Sequence, residues 1–114
     1  MLLRGTVDYE ALARSLKAMG HPTRLGLLKR MSKGMFCVSE LQRDLDRSQS
    51  SISQHLAILR DRGLVVPERK GNMTCYSLAD ERIADLLALA ERILSTGPHS
   101  APARSLRADQ APVS

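Results

Sequence analysis

The sequence predicts a mainly α fold carrying one small β hairpin, and three observations predict it. Apolar side chains recur at helical spacing over most of the chain. The core must be built from Leu, Ile, Val, Ala and Met, because Phe and Tyr together number three and Trp is absent. A large sheet would draw on those missing aromatics. Residues 64–78 alone carry a longer strand-like pattern, around a turn. The length of 114 residues suits one domain with a modest core.

The first helix is expected over Tyr9–Met19, where Leu12, Leu16 and Met19 recur at helical spacing. GHPT follows, with Pro22 at a position that a helix start tolerates. TRLGLLKRMSKG then carries Leu25, Leu28 and Met31 on one face and ends near Gly34. Gly26 either weakens this helix or allows close packing. MFCV is a brief strand leading into a short third helix, SELQRDLD. Ser39 is its expected cap, with Gln42 at the capping-box spacing. DRS turns the chain into a fourth helix, QSSISQHLAILRDRG, closed by Gly63.

LVVPERKGNMTCYSL reads as two strands about a turn at Lys70-Gly71-Asn72. Pro67 places the first strand at an edge or interrupts it. ADERIADLLALAERIL is a fifth helix with Ile83, Leu86, Leu87, Ala90, Ile93 and Leu94 as its apolar stripe. Asp80 and Glu81 are expected in its first turn, facing the positive end of the helix dipole. Residues 95–114 are rich in Ser, Ala and Pro, and a disordered tail is the expectation.

The formal charge is +5, from 17 Lys and Arg against 12 Asp and Glu. That balance favours polyanionic partners. No apolar run reaches the roughly 20 residues that span a bilayer, and MLLRG lacks the apolar core of a secretory signal. A cytoplasmic protein without a membrane partner is expected, and its two cysteines there are free or reactive thiols rather than a structural disulfide. No Ser-His-Asp order, carboxylate pair or phosphate-binding glycine loop is present, so an enzyme is not expected. No cofactor is implied.

The fourth helix has two faces. Ile52, Leu56 and Leu59 look inward. The other face and its flanks display Arg47, Ser48, Gln49, Ser50, Ser51, Ser53, Gln54 and His55, with Arg60 further along. Such a face suits a major groove, where Gln pairs bidentately with adenine and Ser donates or accepts. The same residues would also serve as an ordinary solvated face. The hairpin tips the balance, because Arg69, Lys70 and Asn72 put positive charge and an amide at its turn, suited to the DNA backbone or minor groove. Residues 47–72 hold five basic residues against two acidic ones.

HPTRLGLLKRM, then VSELQRDLDRSQSSISQHLAILRDRGLV, then ERKGNMTCYSL, resemble in order and spacing the ArsR/SmtB family of winged helix-turn-helix repressors. The resemblance covers about residues 9–94. It implies the order α-α-(β)-α-α-β-β-α, a reading helix near Gln49–Arg60 and a wing near Val65–Leu78. It also implies one DNA-binding and dimerisation domain over 1–94, and a homodimer formed through the terminal helices. Leu12, Leu16, Ile83, Leu86, Leu87, Ala90 and Ile93 are the interface residues this implies. Such dimers bind double-stranded DNA at an inverted repeat and release it with an effector. Arg47 departs from the family, which often has an apolar residue there.

The effector stays open at this level. The family's Cys-Val-Cys metal motif stands here as Cys37-Val38-Ser39, and a serine hydroxyl is no substitute for a soft thiolate. The last helix has no His, so the other familiar metal site is missing. The resemblance implies that the short strand at Cys37 joins the wing sheet beside its last strand, and strand parity then allows Cys37 and Cys75 corresponding faces. Three readings compete: a dithiol that senses an oxidant or reactive sulfur, a site for arsenite or another thiophilic metal using the same cysteines, and ordinary buried or half-buried thiols, as in a dimeric interaction module with structural cysteines.

Overall fold

The structure, a computed structural model, describes residues 6–95. The tail expected over 95–114 lies outside the described residues apart from Ser95. The chain divides into two compact units, one ending at Ala84 and one beginning at Asp85.

Asp8 opens the first helix by accepting the Ala11 N–H at 3.1 Å, and α1 runs Tyr9–Met19. His21 caps the next: its Nδ1 accepts the Thr23 N–H at 3.1 Å, Pro22 takes the first helical position, and α2 runs Pro22–Met31. The buried face of α2 is Thr23, Leu27, Leu28 and Met31. Leu25, expected on that face, is exposed, and Leu27 takes its place. The inward arc is centred one residue further along than the Leu25–Leu28–Met31 row. Gly26 proves to be a close-packing position, since a Cβ there would come within 2.7 Å of Leu45 Cδ2.

Strand β1 is Phe36–Cys37, and α3 follows at once as Val38–Leu45. The expected cap at Ser39 is displaced by two residues to Cys37. Glu40 decides this, because its carboxylate accepts the Cys37 N–H at 2.8 Å, the return half of a capping box. Asp46 ends α3 in the left-handed region, at φ 53°. The Arg47 N–H reaches back to the Gln42 carbonyl at 3.2 Å, as in a Schellman-type ending. Only Asp46, Arg47 and Ser48 separate α3 from α4, Gln49–Asp61. Gly63, at φ 73°, lets the chain leave α4, and the Leu64 N–H bonds the Leu59 carbonyl at 2.9 Å.

The hairpin is β2, Val65–Lys70, and β3, Met73–Leu78, with Gly71 at φ 65° in its two-residue turn. The sheet order is β1-β3-β2, and both pairings are antiparallel. Pro67 therefore lies on an edge strand, where its missing N–H costs least. Cys75 lies on the central strand, opposite Cys37.

Leu27, Leu28, Leu41, Ile52, Leu56, Leu59, Val65 and Cys75 are fully buried and form the centre of the first unit. Arg30 frames one side of this core, ion-paired to Asp44 at 2.7 Å with its guanidinium 5.1 Å from the Phe36 ring centre. The last helix, α5, is Arg82–Leu94. Asp80 and Glu81 precede it rather than occupying its first turn. Asp80 acts instead as a cap, accepting the Arg82 N–H at 2.8 Å and the Arg82 guanidinium at 2.7 Å. The guanidinium bond first, and the backbone bond next, hold its carboxyl down at about 2.

Candidate DNA-reading face and the sulfur pair beside it

Ser48 starts α4 by accepting the Ser51 N–H at 3.2 Å, so its hydroxyl serves the helix first. Ile52, Leu56 and Leu59 are wholly buried. Burying that stripe fixes the opposite one. Gln49, Ser50, Ser53 and Gln54 are exposed, Arg60 is exposed further along, and Ser51 is half-buried at the edge. Gln49 and Ser53 are one turn apart on one row, and Ser50 and Gln54 on the next.

His55 departs from the exposed row. Its ring is 4.5 Å from that of His21, and its Nδ1 is 3.1 Å from an Arg24 guanidinium nitrogen. Arg24 also donates to the Ala18 carbonyl at 2.5 Å. His55 thus ties α4 to the start of α2. Burial first, then the fields of His21, Arg24 and Arg47, lower its pKa. No short-range pattern links His21 to His55, so this cluster is invisible before the chain folds.

The wing presents Arg69, Lys70 and Asn72, all exposed. Lys70 lies 3.5 Å from Glu68, and Arg60 lies 3.4 Å from Asp61. Both are exposed pairs of the sort that contribute little and yield to a stronger anion. Arg69 has no ion-pair partner among the described residues. Arg47 is exposed in the tight turn between α3 and α4.

Cys37 and Cys75 are joined by a disulfide, with their Cα atoms 3.7 Å apart. Of the free or reactive thiols expected at the two positions, the bonded pair fits the reactive alternative and not two free thiols. Register explains the difference: pairing Phe36 with Tyr76 and Cys37 with Cys75 sets the two sulfurs directly across one ladder. The bond links the cap of α3 to the central strand of the wing sheet. Among the described residues no three His, Cys, Asp or Glu side chains gather into a metal-ligand set. A groove of about 470 Å³ opens beside the pair, between α3, α4 and the wing.

Among the described residues, α1 and α5 expose apolar side chains. Leu12 and Leu16 are exposed on α1. On α5, Leu86, Leu89, Ile93 and Leu94 are exposed, Ile83 and Ala90 are half-buried, and Leu87 is already buried in the single chain. No helix among the described residues is long and apolar enough to cross a membrane.

A tight helix pair whose second helix exposes a polar row, followed by a hairpin with a basic tip, defines a winged helix-turn-helix regulator of the DNA-binding type. The chain belongs to the arsR family: residues 21–66 match the family described as bacterial regulatory protein, arsR family. It is 35% identical over 86 residues to the uncharacterized HTH-type transcriptional regulator MJ1325 of Methanocaldococcus jannaschii, covering 75% of this chain and 97% of that one. Reduced HlyU from Vibrio cholerae superposes with a TM-score of 0.69 at 32% identity, over 77% of this chain and 93% of that one. The transcriptional repressor BigR from Xylella fastidiosa superposes with a TM-score of 0.70 at 30% identity, over 78% and 91%.

Proposed function

We propose that the chain is a homodimeric repressor that holds an inverted-repeat operator in its reduced form and lets go when Cys37 and Cys75 are oxidised to a disulfide. In this reading Gln49, Ser50, Ser53 and Gln54 face base edges in the major groove. Arg47, Arg60, Arg69, Lys70 and Asn72 meet the backbone or minor groove, and Ser48 and Ser51 serve the helix start. His55 positions α4 from behind. The apolar faces of α1 and α5 supply the dimer, whose two copies read half-sites about one DNA turn apart.

The observation that carries the sensing half is the place of the bond. It joins the cap of α3, the helix that supports α4, to the strand at the centre of the wing. Making or breaking it changes how the wing is held against α4, the two parts that must fit one duplex together. A redox role is in keeping with the similarity to HlyU, which is known in a reduced form. The arsenite reading needs a third donor beside the two sulfurs, from a partner-chain cysteine or a water, since no such set gathers among the described residues of one chain.

The test compares the parent with Cys37→Ala and Cys75→Ala, using an inverted repeat selected from a random duplex pool. All three reduced proteins should bind it, with affinity that falls steeply as salt rises. A two-electron oxidant should release the parent and leave both variants bound. Equal release of all three would remove the sulfur pair from the mechanism. Absence of any sequence preference at any salt would remove the repressor reading.

A further inference from the structure

The two sulfurs of this one bond are unequal. Cys75 is 1% exposed and does not line the groove. Cys37 is half-buried and does line it, together with Gln42, Gln49, Ser53, Asn72 and Tyr76. Those five side chains offer amides, a hydroxyl and a phenol, with no formal charge among them. The groove's volume of about 470 Å³ falls in the range of small-molecule sites. A neutral lining rich in amides suits a peptide-like molecule, and the one reactive group it reaches is a sulfur.

We propose that this groove docks a low-molecular-weight thiol of peptide-like chemistry, that Cys37 is the sulfur exchanging with it, and that Cys75 is the resolving sulfur. This rests on the thiol reading above and names the reactant at the same site. A thiolate RS⁻ in the groove attacks Cys37 Sγ. The bond from Cys37 to Cys75 breaks, and its electron pair leaves on Cys75 Sγ, which takes a proton from water. The product is a mixed disulfide, Cys37–S–S–R. A second thiolate attacks the sulfur of R, releasing RSSR and the Cys37 thiolate, so the pair has gained two electrons and two molecules of RSH have become one of RSSR. In reverse, the Cys37 thiolate attacks RSSR, and Cys75 then closes the bond and expels RS⁻.

Two features set this order of events. Cys37 lies at the cap of α3 and on the groove wall, whereas Cys75 lies buried on the central strand of the wing sheet. Thiol exchange also requires access to the sulfur that is attacked, and only Cys37 has it. The mixed disulfide would lie against Gln49, Ser53 and Asn72, side chains assigned above to DNA. The thiolated protein is therefore a third state, with its groove filled and its reading face obstructed.

The test uses the full chain, reduced and desalted, with oxidised glutathione as the probe and peptide mass spectrometry as the readout. Cys75→Ala should accumulate the glutathione adduct on Cys37. Cys37→Ala should label Cys75 about a hundredfold more slowly while native, and at the rate of an ordinary thiol in urea. Comparable native rates at the two positions would overturn the assignment. Ser39→Tyr, at the groove wall, added to Cys75→Ala should slow oxidised glutathione about tenfold and leave the much smaller methyl methanethiosulfonate nearly unaffected. Equal slowing of both reagents, or of neither, would overturn the docking site. DNA takes no part in these measurements. Selective labelling supports the site even if oxidation fails to release an operator, and unselective labelling removes it even if release persists.

Discussion

Reducing the bond between Cys37 and Cys75 should destabilise the protein by about 2–4 kcal/mol. The cysteines are 38 residues apart in sequence. Closing a loop of that length lowers the entropy of the unfolded chain by about 4 kcal/mol in the chain-entropy model, the upper end of this range. Little offsets it in the folded state. Cys75 is fully buried, and a free thiol there is still a small hydrophobe with no unmet hydrogen bond of consequence. Reduction therefore acts mainly through the unfolded chain. The assay is urea unfolding followed by circular dichroism, with oxidised protein, protein kept in reductant, and Cys37→Ala compared at one protomer concentration. Fixing the concentration matters because a dimer's midpoint moves with it. The reduced parent and Cys37→Ala should fall together below the oxidised parent. Coincident curves for oxidised and reduced protein would refute the reasoning, since the chain-entropy model gives a loop of this length a stabilisation well above zero.

Arg69→Ala should weaken binding to all duplexes alike and lower the log-log salt slope by about one, as measured by anisotropy across a salt series. Leu56→Ala removes a wholly buried side chain beneath the polar row of α4 and should cost about 2–5 kcal/mol in urea unfolding. The lowered pKa of His55 means the folded state binds fewer protons than the unfolded one. Its contribution is present above about pH 6.5 and is lost as pH falls through the depressed folded value. Melts over that window should show acid destabilisation that His55→Gln reduces. Ile93→Glu puts a charge on the exposed face of α5 and should shift light-scattering mass from dimer to monomer, weakening operator binding with it.

Much of the architecture was legible because local chemistry and the final packing agree. The buried stripe Ile52–Leu56–Leu59 and the glycine after it define α4 from residue pattern alone. Pro67 left an edge strand or an interruption open, and the sheet order chose the edge; the parity around Cys75 allowed a partner at Cys37, and only the register across the ladder supplied it. Misreadings came where two local signals competed. Ser39 and Glu40 both offer capping chemistry, and the carboxylate's bond back to the Cys37 N–H moved the helix start. Asp80 could enter the last helix or cap it, and its two bonds from Arg82 settled on capping. Leu25 and Leu27 are equally apolar, so only packing against the core chooses between them. The inequality of the two sulfurs, and the contact of His21 with His55, depend on which side chains close over them. No spacing in the chain encodes that.

In the proposed mechanism the sulfur state sets the grip on DNA. Its most direct test is the affinity of the full chain for a selected inverted repeat, measured by anisotropy with fully reduced and fully disulfide-bonded protein at one salt concentration. The reduced protein should bind at least about tenfold more tightly, within the usual span of allosteric coupling, and reductant should restore the oxidised sample. Equal affinities, or tighter binding by the disulfide form, would contradict the mechanism.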